Sequence, residues 1–393
     1  MKKLYDVKFY NVGQGLFAEL NLELEGKDTF RIVYDCGTLN KQIYMRNALQ
    51  EFTERSKKPI DLLVLSHFDR DHISGVLDLI SRVEIKLIML PMASHDIRIA
   101  ASFLKRGYQY NMAKWELETL SDPVKKFSEE HERYHPESPQ TKFIFVNSAK
   151  PYESNEDIPT LEVEGPTLSP IQLPRVSKIP SGYPLGIGNY EFLISFYNDI
   201  RVPPTAPNFE LNVSNITSIL TDSSSSPEVK KQAFEDLREL FQTTFKGSAR
   251  LKNIISLFTY IRPAFAKENV GVRLVKEESK VPSRVEYNPT VGRFGALFTG
   301  DGYIESETVF EELKKALKFE NNIAILQVMH HGSKSNWYRG LAQSFSPVLS
   351  VFSSDPDRKT TRHPHESVLK DFVRYGAICV DRDNSCEITV IKK

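Results

Sequence analysis

Within the stretch Ser66-His67-Phe68-Asp69-Arg70-Asp71-His72, four side chains that can hold a metal ion fall inside six residues: His67, Asp69, Asp71 and His72. They follow directly on Asp61-Leu62-Leu63-Val64-Leu65, an apolar run that reads as a buried strand. Imidazole and carboxylate together suit Zn²⁺, Mn²⁺ or Fe²⁺. Short polar loops at strand ends are where a rigid scaffold places chemistry. A loop merely rich in Asp and His would be solvated surface. Against that reading, Gly13, Asp35, Asp301, His330 and His331 likewise follow apolar runs elsewhere in the chain. The pattern points to metal-dependent hydrolysis.

The elements that must position these residues alternate. Residues 4–10, 16–24 and 29–34 read as strands, separated by Gly13-Gln14-Gly15 and Gly26-Lys27-Asp28 as turns. A helical pattern covers 40–56, a strand 61–65, a helix 75–82 and a strand 85–90. Such alternation predicts an α/β architecture, sheets covered by helices. The middle differs. Residues 96–135 look helical and charged, 147–210 are rich in proline, and 190–196 reads as a short strand. Ser226 as N-cap and Pro227 at the first helical position predict a helix to about 245, and a second helix is expected over 248–261. The chain is thus expected to form one domain over 1–393, its core strands interrupted by large, partly helical insertions at about 96–140 and 221–290. From residue 294 the dense alternation resumes, with helices expected at 306–318 and 366–375 and strands at 323–329, 348–352, 378–381 and 387–391.

Composition narrows the classes. The 393 residues carry 51 Lys plus Arg and 51 Asp plus Glu, so the formal net charge is zero. That argues against a strongly basic nucleic-acid coat protein and leaves room for a local basic groove. Met1-Lys2-Lys3 leads straight into a strand-like segment, and no apolar run approaches the ~18 residues of a membrane span. Neither a signal peptide nor a membrane partner is expected. Cys36, Cys379 and Cys386 form no paired framework, which fits reduced thiols in a cytoplasmic location.

Taken in order, these landmarks resemble a known family. His67-x-Asp69-x-Asp71-His72 is similar to the HxHxDH motif of the metallo-β-lactamase superfamily, with Asp in place of the second His. Asn11-Val12-Gly13-Gln14-Gly15, Tyr34-Asp35-Cys36-Gly37, Thr299-Gly300-Asp301, His330-His331-Gly332-Ser333 and His363-Pro364-His365 follow in matching order. Together they resemble the metallohydrolase domain of ComEC-type competence proteins and its free-standing relatives. The resemblance implies an αββα sandwich with two divalent metal ions, Zn²⁺ or Mn²⁺, at one edge of the paired sheets. It implies His67 and Asp69 on the first ion, Asp71 and His72 on the second, Asp301 between them, and His330 or His331 completing the second site. A hydroxide between the ions would be the nucleophile, since two cations lower the pKa of bound water and clamp charge building on a phosphoryl or acyl oxygen. Asp69 is a harder ligand than histidine and tilts the site toward Mn²⁺. The family's further mid-chain histidine has His95 as its nearest counterpart here.

Other residues carry weaker signals. The resemblance gives His363 and His365 a catalytic role beside Asp71, reaching a substrate phosphate or protonating the leaving oxygen; a turn capping the helix at 366 is the plain alternative. Asp35 is expected to hydrogen-bond a ligand histidine. Ser333 and Lys334 could donate to a phosphate. His131-Glu132-Arg133-Tyr134-His135 matches HExxH, but its charged surroundings read as a solvated helix end. Gly186-Ile187-Gly188 lacks the strand–helix setting of a nucleotide loop. The basic stretches 98–106 and 246–252 read as solvated helix faces that could guide a phosphodiester backbone only if they border the cleft. The expected activity is that of a metal-dependent phosphodiesterase or nuclease, with single-stranded nucleic acid as partner. The alternatives are hydrolysis of a small ester, lactone or cyclic nucleotide, or a metal-bound regulatory module whose insertions bind a protein partner.

Overall fold

The computed structural model describes residues 2–26, 29–99, 113–149, 174–200, 208–222, 224–244, 255–264, 270–278, 281–287, 292–320, 322–358 and 362–392. Its strands in chain order are β1 (Lys2–Phe9), β2 (Gly15–Leu22), β3 (Phe30–Thr38), β4 (Leu62–Val64), β5 (Leu87–Pro91), β6 (Lys142–Val146), β7 (Val176–Ile179), β8 (Pro184–Ile187) and β9 (Phe192–Ile200). The second half adds β10 (Ile255–Pro263), β11 (Val270–Glu278), β12 (Val281–Tyr287), β13 (Gly295–Phe298), β14 (Ile323–Gln327), β15 (Leu349–Ser353), β16 (Ala377–Val380) and β17 (Ser385–Lys392). Among the described residues they build two sheets. One has ten strands in the order β12-β11-β17-β1-β2-β3-β4-β5-β6-β7, and the other seven, in the order β16-β15-β14-β13-β10-β9-β8.

Period-two alternation explains why the sheets face each other and are covered outside. On β3, Ile32 and Tyr34 enter the core shared by both sheets, while Val33 turns outward. On β4, Leu62 and Val64 face inward and Leu63 outward; on β13, Ala296 and Phe298 face inward and Leu297 outward. The outer face of the larger sheet is sealed by Met45, Leu49 and Phe52 of the helix Gln42–Arg55 and by Leu79 and Ile80 of the helix Val76–Arg82. Phe310 and Leu313 of Glu307–Leu317, with Val368 and Phe372 of Glu366–Phe372, cover the smaller sheet. The result is a mixed α/β sandwich of two facing sheets with insertions, the architecture the sequence predicted.

Each sheet has a parallel half. β3 through β7 run parallel, as do β13 through β16. All strands of a parallel run end on one edge, so the loops after β4, β13 and β14 can meet there, as binding loops do in open α/β sheets. Two polar ties hold the sheets in register near that edge: the Tyr34 hydroxyl donates to Leu257 O at 2.8 Å and Leu257 N donates to Ser66 O at 2.8 Å.

Two expectations are overturned here. The helix expected over 248–261 is absent from its described part, where residues 255–263 form β10, paired antiparallel with β9 and β13. Ile255, Thr259 and Ile261 are β-branched and Phe258 and Tyr260 aromatic, so the segment fits a pleated surface better than a helix. Leu257 and Ile261 face the shared core and Phe258 and Tyr260 the opposite side. Arg98 is no solvated helix face: it is buried and pins the chain by donating through Nε to Leu120 O at 2.6 Å and through Nη2 to Ser121 O at 2.9 Å. The rest of the stretch 100–106, and the stretch 246–252, lie outside the described residues. The helix Pro227–Thr244 begins as expected, with Ser226 Oγ accepting from Val229 N.

Candidate metal centre

Close backbone approach sets the site. The turn Arg70–Ile73 lies against β2 and β3, where a Cβ on Gly37 would stand 2.5 Å from His72 N and one on Gly15 would stand 2.9 Å from Asp71 O. Only glycine allows the turn to come this near. Asp35 adopts a left-handed backbone (φ 54°), as do the neighbouring His330 (φ 43°) and His331 (φ 56°). Such geometry costs non-glycine residues roughly 1–2 kcal/mol each. Three strained residues on one edge mark it as a place where geometry is held against local preference.

Four imidazoles meet there, and each has its Nδ1 engaged. His331 Nδ1 donates to Ser353 O at 2.5 Å; a carbonyl only accepts, so the proton sits on Nδ1. Asn336 Nδ2 donates to Asp301 O at 2.8 Å and Gly302 O at 3.1 Å, which fixes its amide and leaves Oδ1 to accept from His330 Nδ1 at 2.8 Å. His72 Nδ1 donates to Asp35 Oδ2 at 2.7 Å. Ser66 donates its hydroxyl to the same carboxylate at 2.6 Å and therefore accepts from His67 Nδ1 at 2.8 Å. Each ring thus turns Nε2, its lone-pair nitrogen in the neutral imidazole, away from its anchor.

Those nitrogens face carboxylates. His67 Nε2 lies 3.3 Å from Asp69 Oδ2 and 3.7 Å from Asp301 Oδ2. His72 Nε2 lies 3.1 Å from Asp301 Oδ1, and His331 Nε2 3.6 Å from that atom and 3.4 Å from Asp71 Oδ2. His330 Nε2 stands 3.5 Å from Asp301 Oδ2. The Nε2 atoms of His67, His72 and His331 are buried and make no hydrogen bond. Asp71, His72, Asp301 and His331 form one group whose ligand atoms lie within 4.8 Å of one another, and His67, Asp69 and Asp71 form a second. Ligand atoms bonded to one cation at about 2.0–2.2 Å sit roughly 3–4 Å apart. The donor set and its spacing therefore fit divalent ions.

Electrostatics point the same way. Asp69, Asp71 and Asp301 are all buried, and gathering three carboxylates out of water is costly without compensating cations. Burial alone would push the His72 imidazole down, yet the carboxylates of Asp301 and Asp35 outweigh it and hold it at about 10. Without metal the ring carries a proton that a bound cation would replace.

The sequence reading missed the residues that hold these groups. Gln327 Oε1 accepts from Thr299 N and Gly300 N, both at 2.8 Å, so β14 fixes the loop carrying Asp301. Asn336, Ser66 and the Ser353 carbonyl orient three of the four rings. No spacing rule flags a lone Gln or Asn, although Ser66 stood within the motif. The Asn11–Gly15 landmark acts as a clamp: Gln14 N donates to Asn40 Oδ1 at 3.0 Å and Ser353 Oγ to Gly15 O at 2.7 Å.

The remaining candidates separate. The His363 ring lies 5.6 Å from that of His330, at the rim of the cluster. His365 is exposed and caps the helix Glu366–Phe372, its Nδ1 accepting from Ser367 N at 3.2 Å. His95 stands with Asp96 and Glu210 in a separate group. Ser333 Oγ caps a short turn through Ser335 N, and Lys334 is exposed. The HExxH helix end is exposed at Glu132, Arg133 and Tyr134 as expected, while packing against Val76–Arg82 buries His131. His131 is 2 % exposed, and His135 Nε2 donates to Ile80 O at 2.6 Å. Burial, then the neighbouring His135, lowers the His131 pKa. Gly186 and Ile187 end β8 in a hairpin to β9.

A comparison with curated protein sequences returned no match. Among solved structures, a long form RNase Z from yeast aligns over 100% of this chain and 42% of its own, at 8% identity and a TM-score of 0.32. The chain thus spans less than half the length of that structure. No helix among the described residues is long and apolar enough to cross a membrane. Residues 24–146, which carry Asp35, His67, Asp69, Asp71 and His72, match the family model of the Metallo-beta-lactamase superfamily.

Proposed function

We propose that this chain is a metal-dependent hydrolase of the competence-like type that cuts phosphodiesters, with single-stranded nucleic acid as substrate. One observation carries the hydrolase reading. Side chains from the loops after β4 and β14 converge on Asp301, which follows β13, with three buried imidazole nitrogens facing carboxylates and making no hydrogen bond. The preference for a phosphodiester rests on the motif order from Asn11 to His365.

In this reading His67 and Asp69 would hold one divalent ion and Asp71, His72 and His331 the other, with Asp301 within reach of both. Bound ions would supply Lewis acidity and make water a nucleophile near neutral pH. The protein's part is orientation. Asp35 and Ser66 fix the tautomers of His72 and His67, and the Ser353 carbonyl fixes that of His331. Gln327 holds the Asp301 loop so that the carboxylate need not reorganise during turnover. At the rim, where its ring lies 5.6 Å from that of His330, His363 would deliver a proton to a leaving oxygen.

Purified protein supplied with Mn²⁺ or Zn²⁺ is expected to cleave a bis-aryl phosphodiester and a labelled single-stranded oligonucleotide. Replacing Asp71→Ala together with His72→Ala should abolish both activities. Turnover of carboxylic esters or lactones without phosphodiester cleavage would shift the assignment to a small-ester hydrolase. Metal binding without turnover of either class would favour the partner-binding alternative.

A further inference from the structure

We infer that the two adjacent histidines are divided between the two ions: His331 serves the second, and His330 supplies the imidazole otherwise missing from the first. This rests on the dinuclear reading above and assigns a ligand that reading leaves out.

The argument starts from Asp301, whose two oxygens face different partners. His72 and His331 turn Nε2 toward Oδ1, at 3.1 and 3.6 Å. His67 and His330 turn Nε2 toward Oδ2, at 3.7 and 3.5 Å. Of the remaining carboxylates, Asp69 lies beside His67 at 3.3 Å and Asp71 beside His331 at 3.4 Å, Asp71 also falling within the group of His67 and Asp69. Each Asp301 oxygen therefore has two imidazoles on its side. Without His330 the first set would hold one imidazole against two in the second.

Local backbone makes the division possible. Consecutive residues in an extended strand point to opposite faces. The left-handed conformation at both His330 and His331 lets neighbouring rings address the two oxygens of one carboxylate, with ring centroids 6.0 Å apart. Asn336 then acts on His330 as the Ser353 carbonyl acts on His331, holding the proton on Nδ1 and leaving Nε2 for a metal. His330 is not part of the tightest groups of ligand atoms, so its ring would need a small rotation to reach an ion. Its side chain is 15 % exposed and lies toward the rim, which leaves room for that movement.

The test counts ions rather than turnover. Metal-depleted wild type, titrated with Mn²⁺ in equilibrium dialysis, is expected to bind two equivalents. His331→Gly opens the second site and should retain one tightly held ion. Adding His330→Gly should weaken that remaining ion by more than the ~100-fold that loss of an outer partner costs. Glycine suits both left-handed positions, and His330→Asn, which also tolerates them, repeats the measurement with a side chain in place. The inference is overturned if His331→Gly and the double variant hold their remaining ion equally well, or if His330→Asn alone binds two ions as tightly as wild type. Two ions divided as described in a protein that cleaves no phosphodiester would refute the proposed function and leave this assignment standing. Phosphodiester cleavage with both ions retained in the His330 variants would do the reverse.

Discussion

Two buried polar clusters in the larger sheet and its edge make opposite uses of charge. In one, Arg31 on β3 donates through Nε to Glu19 Oε1 at 2.7 Å and through Nη1 to Lys58 O at 2.7 Å, and its guanidinium lies over the Phe52 ring at 3.9 Å. Glu19 also accepts from the Tyr10 hydroxyl at 2.6 Å. Cation, anion and hydroxyl satisfy one another. Around Asp301, by contrast, three carboxylates crowd together and three imidazole nitrogens make no hydrogen bond. A satisfied network needs nothing more from outside. The second cluster gathers charge that bound cations would balance, and left-handed backbone at Asp35, His330 and His331 surrounds it. Burial of charge does not by itself identify a functional site; the state of its pairing does.

The comparison can be broken first at Asp301. On the proposed function, Asp301→Asn keeps the shape but weakens the group both ions would share, and should lower phosphodiester turnover by about 10⁴-fold, or ~5 kcal/mol of transition-state stabilisation, while the protein stays folded. Steady-state kinetics with circular dichroism as control would check it. The converse belongs to Glu19. Glu19→Ala strands a buried guanidinium and should cost about 3–5 kcal/mol of stability in urea unfolding without changing the number of ions bound.

Chelation sharpens the contrast further. An ion present at a hundred times its dissociation constant adds about 2.7 kcal/mol per site. Removing the ions should lower the melting temperature of the wild type and of Glu19→Ala alike, and leave Asp301→Asn nearly unmoved. Calorimetry with and without chelator measures this directly.

A smaller effect concerns His131, buried with a lowered pKa and outside both clusters. Between its depressed folded value and the ordinary value of about 6.5, the unfolded chain binds the proton more readily. Stability present above about pH 6.5 is therefore lost as pH falls through that window. His131→Gln should show a shallower decline on the acid side, read from unfolding midpoints at several pH values. An unchanged slope would assign the acid sensitivity elsewhere.

Much of the fold was legible in the chain. The helices near 42–55, 76–82, 227–244 and 307–317 and the strands on either side of the ligand loops lie close to their expected places, since periodicity and caps are local signals. β10 was not legible: its nine residues, six of them branched or aromatic, read as a helix until the partner strands β9 and β13 are known. The same limit hid Arg98, whose charge looked exposed until Leu120 and Ser121 supplied carbonyls from another segment.

The order of residue types along the chain was enough to determine which side chains could hold a metal, because ligand chemistry belongs to the residue itself. His67, Asp69, Asp71, His72, Asp301, His330 and His331 were all readable that way, with Asp35 as the hydrogen-bonding partner of a ligand histidine. Tertiary structure alone decided which ring nitrogen faces which carboxylate oxygen. That choice depends on Ser66, Gln327, Asn336 and the Ser353 carbonyl, groups with no signature of their own, which act only because two parallel strand runs end on one edge and bring them within hydrogen-bond range.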